Sequence, residues 1–162
     1  MNNPNIEKEF LKLIQTNERL IYKVCSIYVS EEFPLSDLFQ EVVYNLWKSF
    51  AKFRNESTIS TWMYRVALNT CISGVRKELK RPQRVSINDF REYLIEPESM
   101  EENIREMYNL IYQLKSMEKA IILLYLEEKS YQEISDITGL TLNNVAIKIK
   151  RIKEKLIKMS NN

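Results

Sequence analysis

Trp62, Arg65, Asn69, Ser73, Arg76 and Lys80 recur three or four residues apart. On a helix turning 100° per residue they fall within a sector of roughly 80°. Each type on that stripe has a chemistry. An indole flanked by Arg and Asn can stack on an unpaired base. The Asn69 amide offers both a donor and an acceptor to a base edge. Arg76, Lys77, Lys80 and Arg81 can neutralise backbone phosphates. Met63, Ala67, Thr70, Cys71 and Gly74 gather on the other side as a core face, which predicts Trp62 on the charged side. Two plainer readings fit the same spacing: a basic stripe can be only a solvated surface, and a Trp near a helix start can pack beneath a neighbouring loop.

Residues 130–156, SYQEISDITGLTLNNVAIKIKRIKEKL, carry a second arrangement. Ser130 and Glu133 have capping-box spacing. Gly139 can take the left-handed conformation that ends a helix, and Thr141 is a good N-cap for the next one. Val145, Ile149, Ile152 and Leu156 form one apolar stripe. Asn143, Ile147, Lys150, Arg151 and Lys158 lie opposite. A short helix, a turn and a basic helix with polar residues outward have the shape of a helix-turn-helix duplex reader, and also of an ordinary helical hairpin.

Other chemistries are thinly supplied. The 162 residues contain no His, which removes the commonest general base and metal ligand. Cys25 and Cys71 stand among apolar neighbours without metal-ligand spacing, as buried free thiols in a reducing compartment would. No glycine-rich phosphate loop occurs. No enzyme activity, metal or cofactor is expected. No signal peptide or membrane-length apolar run is visible, so a cytoplasmic protein without membrane insertion is expected.

The formal net charge of +2 hides an asymmetry. Residues 61–84 hold six basic side chains against Glu78, a net of +5, and residues 146–162 hold six against Glu154, again +5. Between them, residues 85–106 hold seven acids against Arg91 and Arg105, a net of −5. Two cationic segments split by an acidic one suggest two polyanion contacts and a connector that avoids the polyanion.

Two Gly and four Pro in a chain rich in Leu, Ile, Glu and Lys favour long helices. No sustained alternation marks a strand. Apolar periodicity predicts helices over 6–29 with a break near Thr16-Asn17, from about Asp37 to Phe53 behind a Ser36 cap, and from about Ser60 to Lys80, ending before Pro82. Periodicity fades over 82–100 and returns from Glu101. The resulting picture is all-α: two small helical domains joined by a flexible linker, at 1–82, 83–100 and 101–162, with the helix-turn-helix in the second. Each lobe is near the size at which one core is marginal. The C-terminal surface suits a duplex major groove and the N-terminal one suits separated strands, the pair that promoter opening requires.

These segments resemble bacterial RNA polymerase sigma factors, specifically the extracytoplasmic-function class of the sigma-70 family. In the first lobe the resemblance rests on Asp37-Leu38-Phe39-Gln40-Glu41, Phe53-Arg54 and Ser60 to Thr70. In the second it rests on Ser130-Tyr131-Gln132-Glu133-Ile134, Gly139-Leu140-Thr141, Val145, Arg151 and Leu156. It covers about residues 17–81 and 101–157.

The resemblance implies roles position by position. Asp37, Gln40 and Glu41 match the surface that docks on core RNA polymerase. Phe53, Arg54, Asn55 and Ser57, with Asn69, match positions that capture a flipped base of the minus-ten element. Trp62 and Arg65 match a melting segment, and Arg76, Lys77, Lys80 and Arg81 match phosphate contacts. Thr141, Asn143, Asn144, Ile147, Lys148, Lys150 and Arg151 match the helix that reads the minus-thirty-five element. Core polymerase and promoter DNA are the implied partners of a chain that is monomeric when free. The family often adds an anti-sigma factor.

The chain departs from the family pattern at Ala146 (often basic), Ile147 (often small and polar) and Asn55 (usually Gly). Two rivals stand beside this reading. A helix-turn-helix regulator that is no polymerase subunit needs a dimer interface and a palindromic site. A helical adaptor binds only protein.

Overall fold

The structure, a computed structural model, describes residues 3–53, 55–78 and 102–162, with side chains throughout except at 75–78. The described residues form eight helices and no strand, as the composition predicts. The expected linker at 83–100 lies outside them.

Helix α1 (Pro4–Thr16) is capped by Asn3, whose side chain accepts the Asn5 N–H. Pro4 stands at the first turn, where its missing N–H costs nothing. The break falls where predicted: the Asn17 N–H closes on the Leu13 and Ile14 carbonyls, and α2 (Glu18–Ser26) starts afresh. Helix α3 (Leu35–Phe50) begins earlier than predicted. Pro34, not Ser36, ends the preceding extended segment, and its carbonyl accepts the Asp37 and Leu38 N–H groups. A proline N-cap supplies fixed φ and a free acceptor, so no side-chain cap is needed. Helix α4 (Ile59–Glu78) starts behind Thr58, whose hydroxyl takes the Thr61 N–H.

The second lobe comprises α5 (Glu102–Tyr112), α6 (Ser116–Leu126), α7 (Tyr131–Thr138) and α8 (Leu142–Ser160). Its turn chemistry follows the sequence. Ser130 and Glu133 close a reciprocal capping box, Gly139 sits at φ +81°, and Thr141 accepts the Asn144 N–H.

Leu38, Val42 and Leu46 of α3 meet Ile21, Val24 and Cys25 of α2 and Met63, Ala67 and Cys71 of α4 in the first core. Ile121 and Leu124 of α6, Ile134 of α7, and Val145, Ile149 and Ile152 of α8 build the second. The two lobes are not apart: α4 also lies against α6 and α7.

Candidate nucleic-acid interface

The reading face of α8 is set by its buried face. Val145, Ile149 and Ile152 are fully enclosed, which turns Asn143, Asn144, Ile147, Lys148, Lys150 and Arg151 outward. Asn143, Ile147 and Arg151 stand four residues apart and therefore in one row. Thr141 is exposed at the head of the row while its hydroxyl holds the cap. The helix is fixed from behind as well: Lys155 Nζ lies 3.0 Å from Glu118 Oε1 at the start of α6. Burial alone would raise the Glu118 carboxyl. The hydrogen bonds from the Lys115 N–H and the Lys155 ammonium outweigh it and hold the group below its ordinary range.

The stripe on α4 divides in two. Towards its C-terminal half, Asn69 and Ser73 are exposed on the rim of a groove of about 710 Å³ between α3 and α4. Lys48 and Lys52 line the same groove from α3 and the residues after it. The Asn45 amide donates to Thr70 Oγ1 at 2.9 Å and ties the two helices together. Gly74 also lines it, and a Cβ there would approach nothing closer than Leu38 Cδ2 at 4.0 Å, so packing does not demand the glycine. A cleft with cations on one wall and an amide on the other can hold a phosphate and a base edge together.

The N-terminal half of the stripe corrects the sequence reading. Trp62 is only 9% exposed and does not stand on the charged face. Its ring lies 4.9 Å from that of Phe53 and 6.3 Å from that of Phe50. A helical side chain leans back over the turn N-terminal to it, and here the chain between α3 and α4 returns across that turn. The plainer alternative, a Trp beneath a loop, is the one found. Asn55 in that loop adopts φ +56°, the left-handed geometry expected of a residue standing where the family usually has glycine. Arg65 turns to the second lobe, where its Nε donates to the Asp136 carbonyl at 2.7 Å. Arg54, Lys80 and Arg81 lie outside the described residues, and the side chains of Arg76 and Lys77 are not described.

Asp37, Gln40 and Glu41 are all exposed on α3. Gln40 also borders an apolar groove of about 570 Å³ between α1 and α3, lined by Phe10, Leu11, Phe39, Val43, Tyr44 and Trp47. Leu11 is 59% and Tyr44 56% exposed there. Sequence reasoning missed this groove. Its signal is a second apolar stripe on α3, Phe39, Val43 and Trp47, beside the buried one.

Cys25 and Cys71 are free, fully buried and hydrogen-bonded to each other, and that bond, followed by burial, pushes the Cys71 thiol up. Among the described residues no cluster of metal-ligating side chains occurs, and no helix is long and apolar enough to cross a membrane.

A two-lobed helical chain with a helix-turn-helix at one end and a polar cleft at the other defines a class of DNA-reading proteins, and comparison narrows it. Residues 13–81 match Sigma-70 region 2, and residues 104–156 match Sigma-70, region 4. The RNA polymerase sigma factor YlaC of Bacillus subtilis is 30% identical over 132 residues, 75% of this chain and 75% of the relative. SigV of the same organism is 27% identical over 139 residues, 85% of this chain and 82% of the relative. The ECF RNA polymerase sigma-E factor of Escherichia coli is 26% identical over 163 residues, covering 91% and 84%. A solved structure of the sigma factor RpoE of Bartonella quintana, with the anti-sigma factor NepR, shares the fold. It has a TM-score of 0.73 at 17% identity over 95% of this chain and 98% of that one. The chain belongs to the sigma-70 family of RNA polymerase sigma factors, in its extracytoplasmic-function class, and directs transcription initiation.

Proposed function

We propose a division of labour in which a first domain, 1–82, docks on core RNA polymerase and holds the opened minus-ten strand. A connector, 83–100, follows, and a second domain, 101–162, reads the minus-thirty-five duplex. Asp37, Gln40 and Glu41 make the polar part of the docking contact. The apolar groove that begins at Gln40 extends it, because exposed aromatics beside a polar rim are what a protein partner covers.

The loop from Phe53 to Ser57 and the α3–α4 groove at Asn69 take the unpaired strand, with Lys48 and Lys52 beside its phosphates. Trp62 serves by propping Phe53 from beneath, so it shapes the loop without stacking on a base itself. Arg65 contributes once released from Asp136. Arg54, Arg76, Lys77, Lys80 and Arg81 keep the phosphate and loop roles that the resemblance implies. On α8, Thr141, Asn143, Asn144, Lys148, Lys150 and Arg151 contact the duplex, and Ile147 meets a thymine methyl.

The observation that carries this reading is the fully enclosed stripe Val145, Ile149 and Ile152, which leaves the polar row of α8 no orientation but outward. No chemistry occurs on the chain. Stacking and hydrogen bonding of flipped bases offset the lost pairing, on the order of a few kcal/mol per base. The promoters served are a specialised set, and the setting is the cytoplasm. The solved relatives include CnrH in complex with the cytosolic domain of CnrY, which supports an anti-sigma partner here too.

Transcription reconstituted with core polymerase on a genomic fragment library tests the reading. Selective starts that depend on added protein are expected. Random starts, or no capture by core polymerase, overturn it.

A further inference from the structure

On the α3 wall of the strand groove, the Asn45 side chain is locked from the helix opposite. The Thr70 hydroxyl has one proton and gives it to the Val66 carbonyl at 2.7 Å. Towards Asn45 that hydroxyl therefore accepts. The side of the Asn45 amide that meets it, at 2.9 Å, is the NH2. A flipped amide would set oxygen against oxygen, so the relay from α4 fixes which way the amide stands. The Asn45 Oδ1 is left unpaired among the described residues and is not sealed from solvent, on a side chain that lines the groove.

A fixed acceptor here divides the four bases. Where adenine and cytosine carry an exocyclic amino group, guanine and thymine carry a carbonyl oxygen. Unpairing frees the amino hydrogen that the partner base held. The donors near Asn45 on the same wall are engaged. Ser49 gives its proton to the Asn45 backbone carbonyl at 2.6 Å. The Lys48 ammonium stands over the Tyr44 ring, 4.9 Å from its centroid. Glu41, one turn earlier, adds acceptors and no donor. Lys52 lies about two turns beyond Asn45, beside the backbone and not the base. Across the groove Asn69 is next to Thr70, so its amide stands at nearly the same level. Asn69 is exposed and free to turn, so it can serve any base. Asn45 is not. A keto oxygen brought to its Oδ1 loses a hydrogen bond and meets a like partial charge.

We propose that Asn45, oriented by Thr70, selects an amino-bearing base, adenine or cytosine, against the keto bases guanine and thymine at one position of the opened strand. This rests on the promoter reading above. Asn69 captures the base and Asn45 discriminates. Thr70 touches no base and is a positioning residue.

Binding of premelted promoter templates by the full chain with core polymerase tests it, with each of the four bases placed at each minus-ten position. Asn45→Ala, Thr70→Val and Thr70→Ser are compared with the natural chain, after circular dichroism shows equal helix content. The natural chain is expected to favour amino over keto bases about tenfold at one position, the worth of a hydrogen bond kept against one lost. Asn45→Ala should level the four bases by weakening adenine and cytosine. Thr70→Val frees the amide to turn its NH2 into the groove, so it should level them by raising guanine and thymine. Thr70→Ser keeps the hydroxyl and should keep the preference. A natural chain without an amino preference at any position overturns the assignment and spares the promoter reading. So does a preference that survives in both Asn45→Ala and Thr70→Val. So does an equal loss on all four bases, which is what a mere tie between α3 and α4 would give. If the natural chain neither binds core polymerase nor any template, the promoter reading falls and the role of Asn45 with it.

Discussion

The indole of Trp62 lies under the ring of Phe53, with centroids 4.9 Å apart and planes tilted by 33°. This contact fixes where the loop leaves α3 and where α4 begins. Trp62→Ala should cost about 3–5 kcal/mol of stability by emptying a buried aromatic site. Trp62→Phe should recover most of the stability and most of the promoter opening. Denaturant melts and permanganate footprinting measure the two. If Trp62→Phe is stable yet cannot open DNA, the indole touches a base and the propping role is wrong.

Asn69 stands exposed on the rim of the α3–α4 groove. Asn69→Ala should weaken opening on the order of tenfold, the loss of one or two hydrogen bonds to a base, and leave polymerase affinity unchanged. Equal loss in both assays counts against its contact with the strand.

On α8 the cations and the lone apolar side chain should behave differently. Arg151→Ala and Lys150→Ala, measured within the polymerase complex, should each reduce the salt dependence of promoter binding by about one counterion if the contact is to phosphate. Ile147→Ser should instead alter preference at one base pair, by about 1–3 kcal/mol, with the salt slope intact. A binding-site selection run on both variants separates these outcomes. An unchanged selected sequence for Ile147→Ser removes the methyl contact.

Lys119 predicts an unusual alkaline profile. Burial pulls its ammonium down to about 8, although the Tyr28 and Tyr112 rings stand within about 6 Å of it. The unfolded lysine titrates near 10.4. Between those values the unfolded chain holds the lysine proton that the folded chain has lost, so Lys119 contributes stability that rises with pH from about 8 towards 10, against the raised Cys71 thiol, which ionises in this range only in the unfolded chain. Above that the sign reverses. Tyr28 and Tyr64 are raised by burial, so they keep their protons in the folded chain after the unfolded chain has lost them. The stability difference between the natural chain and Lys119→Met should widen from pH 8 to 10 and hold steady above it. Thermal melts of both chains from pH 7 to 11 decide the matter, and a difference between them that does not change with pH excludes a desolvated Lys119.

The helix-turn-helix was legible almost residue by residue because each signal was local. Ser130, Gly139 and Thr141 act within a turn of themselves, and a period of 3.6 residues separates the buried face of α8 from the exposed one. Helix α4 was harder. Angles around its axis show which residues share a side, but they do not show what covers that side. The chain returning from α3 claimed Trp62, and the second lobe claimed Tyr64 and Arg65. The contact between the lobes was invisible for the same reason. Lys23 and Glu127 are 104 positions apart, and nothing near either one announces the other. The α3 helix start was misplaced because Ser36 is a familiar cap, whereas Pro34 acts through fixed geometry and leaves no side-chain signature.

Cys25 and Cys71 are both sealed inside the first lobe. The intact protein is therefore its own blank for maleimide chemistry. A dye or spin label should attach at one introduced surface cysteine while both natural sulfurs stay unreacted. Distances between lobes can then be followed in the otherwise unaltered chain during a full cycle of initiation.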